Sequence, residues 1–111
     1  MAKLPNGENA VVDLVKLRDY CLNPSHPRGR HKARVFASAL GLTARHADDL
    51  RVALLDAARD GEAMPGEQDE YGRRFTVDFE MAHRGWRTTV RSAWIVRTGE
   101  NYPRLTSCYV L

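Results

Sequence analysis

The chain is predicted to be an α+β protein, with N-terminal helices packed on one face of a C-terminal antiparallel sheet of three to four strands. Apolar residues recur at helical spacing up to Asp60, and from Phe75 onward they recur at every second position. The length, 111 residues with 43% hydrophobic composition, fits a single domain over 1–111 whose one core needs no metal or disulfide staple.

Taken in order, residues Leu4 to Val12 read as extended and are the candidate fourth strand. Asp13 is placed to cap a short helix through Cys21, in which Leu14, Leu17 and Cys21 share a face. Asn23-Pro24 ends it. A Pro/Gly loop then feeds a second helix from Arg30 to Leu40, closed by Gly41 in the C-cap position. Thr43 suits the cap of a third helix, where Ala47, Leu50, Ala53, Leu54 and Ala57 form one apolar stripe up to Asp60-Gly61. Residues 61–70, made of Gly, Met, Pro and acids, read as a solvated loop.

Beyond that loop Phe75, Val77, Phe79 and Met81 alternate with Arg74, Thr76, Asp78 and Glu80, the pattern of a half-buried strand. His83-Arg84-Gly85 suits a hairpin turn, and Trp86 to Arg97, rich in Thr, Val, Ile and Trp, is the second strand. A turn over 98–103 leads to a last strand from Arg104 to Val110.

A net charge of +3 and a pI near 9.1 are too weakly basic to argue for nucleic acid by themselves. The distribution is more telling. Arg28, Arg30, Lys32 and Arg34 stand with His26 and His31 in a stretch without acids, and Arg84, Arg87, Arg91, Arg97 and Arg104 face only Glu100. Residues 60–80 hold seven of the fourteen acids, so one face of the molecule is suited to polyanions. The first cluster lies where a loop enters a helix, and there charge and free backbone N–H groups together can hold a phosphate.

Strand periodicity divides the second strand. Trp86, Val90, Trp94 and Val96 fall on the side the helices should cover, leaving Arg87, Thr89 and Arg91 on the other, where Arg74, Thr76, Arg104 and Thr106 join them if register allows. Arginine offers a phosphate a bidentate fork and threonine a small donor. Solvent-facing strand positions also favour these residues for no functional reason. On the second helix His31, Arg34 and Ser38 share one face, whereas Lys32 projects beside Val35, Phe36 and Ala39, as a snorkelling side chain or a site residue. His31 is a candidate acid or base, since imidazole titrates near neutrality.

Other chemistries find no support. The four histidines fall at no metal-ligand spacing, no Walker, Rossmann or GxSxG motif is present, and no cofactor or metal is implied. Cys21 and Cys108 match no CxxC or zinc pattern, so buried thiols are expected, with a disulfide the lesser reading. The first residues lack a signal-peptide core and no apolar run spans a bilayer; a cytoplasmic protein without membrane contact is expected.

Lys3 to Asp13, Lys16 to Pro24, Gly29 to Phe36, Tyr71-Gly72, Trp94-Ile95-Val96 and Pro103 to Thr106 together resemble a bacterial domain family of unknown function, over essentially the whole chain. Members of that family look like stand-alone small proteins or C-terminal tips of polymorphic toxins. The resemblance implies the toxin half of a toxin–antitoxin or toxin–immunity pair, whose partner is a small β-rich antitoxin or immunity protein from a neighbouring gene. The helices-then-sheet order is also similar to that of metal-independent ribonuclease toxins such as barnase and the tRNA-cleaving colicins. That analogy implies RNA as substrate, with His31, Lys32, Arg34, Arg104 and Thr106 around the scissile phosphate and Arg28, Arg30, Arg87 and Arg91 as phosphate ligands. The chain departs from barnase in having no Glu evident beside those cations as a base. Two other readings remain: a non-catalytic cationic module that binds RNA or an acidic partner protein, and a cluster that only caps a helix.

Overall fold

Asp13 opens the helical half, its side chain accepting the Val15 N–H at 2.9 Å and starting α1 (Leu14–Lys16), which continues as a π turn over Leu17–Cys21. The computed structural model describes residues 2–111. The α2 helix (Arg30–Leu40) ends at Gly41, whose φ of 63° is the left-handed geometry that glycine adopts without a Cβ penalty. There Leu42 N–H bonds back to Phe36 O and Gly41 N–H to Ala37 O. Thr43 N–H donates to His46 Nδ1 at 3.1 Å, closing a 3₁₀ turn (Ala44–His46) that leads directly into α3 (Ala47–Asp60).

Four strands follow, each antiparallel to the next in the order β1-β2-β3-β4: β1 (Ala63–Asp69), β2 (Gly72–His83), β3 (Trp86–Arg97) and β4 (Arg104–Val110). The fold is therefore α+β, as the change of period implies. The fourth strand is not where it was expected. Residues 61–70 are not a loop, because Ala63–Asp69 pairs with β2, while Leu4–Val12 contributes a 3₁₀ turn at Gly7–Asn9 and a single parallel bridge from Val11 to Arg104. The physical reason is that β1 is an edge strand exposed from Met64 to Asp69. Its order comes from backbone hydrogen bonds to β2 rather than from a buried face, so its side chains carry no alternation. Pro65, Gly66 and a register shift before Gln68 interrupt that edge, which discourages pairing with other chains.

The core lies between the helices and one face of the sheet. Leu17, Leu22, Phe36, Leu40, Leu50 and Leu54 meet Val77, Val90, Trp94, Leu105 and Cys108 there, with α2 against β3 and β4 and α3 against β2. Cys21 and Cys108 are free and buried, their thiols in contact, and the hydrogen bond to Cys21 together with burial pushes the Cys108 thiol well up. Ser92 is buried among these residues but satisfied: its hydroxyl donates to Val77 O at 2.7 Å and accepts the Trp94 Nε1–H at 2.8 Å.

Candidate functional site

The sheet face away from the helices is polar, as the alternation predicts. Cross-strand register places Arg91 opposite Asp78 and Tyr109, and Ile95 opposite Arg104. Between them β4 carries a bulge: Ala93 pairs with Ser107 and Trp94 with Leu105, leaving Thr106 as the extra residue. The bulge turns both Thr106 and Ser107 to the open face while Leu105 and Cys108 stay buried. Arg74, Thr76, Arg87, Thr89, Arg91, Arg104 and Thr106 therefore share one face.

One helical residue reaches that face. Lys32, in the first turn of α2, brings its Nζ to 3.3 Å from Ser107 Oγ and 5.0 Å from the centre of the Tyr109 ring, which requires it to pass the outer edge of β4. Among the described residues no carboxylate pairs with it. Arg91 stands next to Tyr109 and is held to Asp78 by two bonds of 2.8 Å, Nε to Oδ1 and Nη2 to Oδ2. Its two hydrogen bonds to Asp78, with Tyr109 beside it, raise its pKa further, and they hold the Asp78 carboxyl below the usual carboxylate range. A lysine, a phenol and a hydroxyl are thus gathered at one strand edge beside an arginine whose Nε and Nη2 are taken by Asp78, groups of the kind that bind phosphate oxygens.

A second cluster lies at the other end of β4, five residues and roughly 16 Å along the strand. Arg104 binds Glu100 through Nε at 2.9 Å and Nη2 at 3.0 Å, and Tyr102 Oη bridges to both. The Arg104 hydrogen bond holds Glu100 below its ordinary pKa against the effect of burial. Glu100, the acid that the sequence sets among the arginines of residues 84–104, is thus paired with Arg104 from a turn four residues before it, and lies in this cluster rather than beside Lys32.

The remaining expected site residues are distributed differently. Arg28, Arg30, His31 and Arg34 are exposed and form no ion pair among the described residues. Thr106 spends its hydroxyl on Ala93 O at 3.1 Å, and Arg87 is exposed near the β2–β3 turn. Much of the backbone donor capacity expected at the start of α2 is already used: His26 Nδ1 accepts from Arg28 and Gly29, and His26 O accepts from Arg30. His26 thus engages the three N–H groups of residues 28–30. Ser107 and Tyr109 are invisible to a search for charge, and only the bulge and register bring them to Lys32.

A groove of about 670 Å³ between α3 and β2 lies apart from these clusters. Asp49, Asp56, Asp60 and Glu80 rim it, a charge pattern unsuited to a polyanion.

Among solved structures, the chain is similar to one from the contact-dependent growth inhibition toxin–immunity protein complex of Klebsiella pneumoniae 342, with a TM-score of 0.71 and 15% identity. The match covers 91% of this chain and 99% of that one, and at this identity it shows a shared fold. No curated protein matches at a significant level. The family model for a domain of unknown function, DUF6883, matches residues 3–111, and the chain belongs to that family.

Proposed function

We propose that the chain is the toxin half of a toxin–immunity pair and a metal-independent ribonuclease whose centre lies where α2 meets β4. The observation that carries this reading is Lys32, an unpaired ammonium drawn from a helix to Ser107 and Tyr109 on the sheet, beside Arg91. The fold shared with a chain of a toxin–immunity complex supports the toxin assignment.

In this reading the RNA 2′-hydroxyl attacks the adjacent phosphorus, the P–O5′ bond breaks, and the products are a 2′,3′-cyclic phosphate and a 5′-hydroxyl. One proton leaves the 2′-oxygen and one reaches the 5′-oxygen, so no further reactant is needed. Lys32 and Arg91 stabilise the charge that develops on the phosphorane, a contribution that commonly reaches 10²–10³-fold per donor. Tyr109 and Ser107 offer hydrogen bonds to the same oxygens. His31, one residue before Lys32 and exposed in the same helical turn, is the acid–base candidate. Arg28, Arg30, Arg34 and Arg87 hold flanking phosphates, and Arg104 with Thr106 extends the cationic face.

One observation favours a second reading, a binding module without chemistry. Arg91 and Arg104 are each engaged by a carboxylate of the chain itself, which reduces their charge toward a phosphate. Expression in bacteria with and without the neighbouring gene separates the two. Growth arrest with RNA fragments ending in cyclic phosphate, relieved by the neighbour, supports the ribonuclease toxin. Intact RNA with salt-dependent binding supports the module.

A further inference from the structure

We propose that the tip of the β2–β3 hairpin is a base-stacking subsite for single-stranded RNA, with Trp86 as the platform and Arg84 and Arg87 as phosphate ligands. The proposal deepens the RNA-directed reading above and rests on it. Of the two tryptophans, Trp94 is 1% exposed in the core whereas Trp86 is 61% exposed. Register assigns Trp86 to the helix-side face, yet at the end of the strand no helix covers it.

The tip is rigid. Arg84 and Gly85, at φ of 52° and 85°, form the two-residue turn that matches strand twist, and pairing is continuous from His83–Trp86 inward. His83 Nδ1 bonds to Leu40 O at 2.7 Å, fixing the tip to the end of α2, and its Nε2 lies 3.5 Å from Asp49 Oδ2. An indole held in place loses little freedom when a base stacks on it.

The surroundings are cationic. Arg45, Arg84 and Arg87 are exposed and have no ion-pair partner among the described residues; on the α3 side Asp49, which with His83 lines the acidic groove, bounds the tip. Their proximity shows at His46, where burial, then Arg84, His83 and Arg45, favours the neutral ring. An aromatic plane flanked by unpaired arginines is the combination by which proteins hold single strands without reading their sequence. Arg87, Thr89 and Arg91 stand on the opposite, open face of β3, so a strand stacked on Trp86 crosses the hairpin tip before it runs along them, past the Thr89–Glu80 and Arg91–Asp78 pairs, to the Lys32 cluster, five residues and roughly 16 Å along the strand. That span suits the nucleotides flanking a cleaved phosphate.

Trp94 is shielded, so quenching of tryptophan emission reports on Trp86. The probe is a fully 2′-O-methylated oligonucleotide, which cannot undergo the cleavage, added to the full chain unlabelled for tryptophan emission and fluorescein-labelled for anisotropy. The expected results are quenched emission, and an affinity, read by anisotropy, that falls about five- to hundredfold in Trp86→Ala and largely survives in Trp86→Phe. Arg87→Ala should lower the salt slope by about 0.7 for each phosphate it no longer neutralises. Unchanged affinity in Trp86→Ala, binding without quenching, equal quenching by the corresponding duplex, or no binding at all overturns the proposal. Quenching without cleavage of unmodified RNA upholds the subsite and contradicts the ribonuclease reading. Cleavage with an unchanged KM in Trp86→Ala does the reverse.

Discussion

Lys32 Nζ lies 3.3 Å from Ser107 Oγ, joining the first turn of α2 to the last strand across 75 positions of sequence. That separation is long for a charge-assisted hydrogen bond, and the ammonium meets no carboxylate among the described residues. A cation so placed keeps most of its attraction for an anion. Arg91, fixed by Asp78 at 2.8 Å, stands on β3 opposite Tyr109 as a further member of the same cluster.

Tyr109 sets its ring beside Lys32 and stands opposite Arg91 in the strand register. Tyr109→Phe keeps the ring and removes the hydroxyl, so it should lower RNA cleavage about tenfold or more with a stability change of about 1 kcal/mol or less. Cleavage rates and denaturant titration of the same preparations measure both.

Gly29 precedes α2, and a Cβ there would fall 2.3 Å from Tyr20 O. Gly29→Ala must push the start of α2 off the π turn, so it should destabilise the chain by roughly 1–3 kcal/mol and displace Lys32 from Ser107. Thermal melting and cleavage should both worsen, unlike Tyr109→Phe, where activity alone suffers.

Ser92→Ala removes the acceptor of the buried Trp94 indole N–H and a donor to Val77 O. An unsatisfied buried donor costs about 1–3 kcal/mol, so a lower unfolding midpoint in urea is expected with RNA cleavage intact in the folded protein.

Stability should fall in acid. Hydrogen bonds from Arg91 lower the folded pKa of Asp78, and those from Arg104 lower that of Glu100. Because the unfolded carboxyls bind protons more readily, this stabilisation is complete above their ordinary values of 3.8 and 4.5 and disappears as pH falls through the lower folded values. Unfolding midpoints between pH 2 and 6 should show the decline, and Asp78→Asn should make it shallower.

The helical half was legible because its signals are local. Asp13, Gly41 and the Ala47–Ala57 stripe each act through neighbours a few residues away, and β2 and β3 show alternation because one face is buried. The edge strand β1 was not legible, since exposure on both faces leaves only backbone pairing to order it. The site was legible only in part. Charge identified Lys32, Arg91 and Arg104, and periodicity placed the two arginines on one face. Ser107 and Tyr109 depend on a bulge at Thr106, and Glu100 on a turn, neither of which composition specifies. The sequence sets His26 beside the four cations of the loop, and the structure turns its ring nitrogen to the Arg28 and Gly29 N–H groups, a contact that no charge pattern specifies.

Cleavage of a defined single-stranded RNA by purified protein in the presence of a chelator, comparing the natural chain with Lys32→Ala, tests the α2–β4 centre most directly. Lys32 is half-buried against the edge of β4, so circular dichroism should confirm that the variant is folded. The expected result is cyclic-phosphate product from the natural chain and a rate lower by about 10²–10³-fold in Lys32→Ala. Equal rates for the two proteins, or no product from the natural chain, would contradict the assignment.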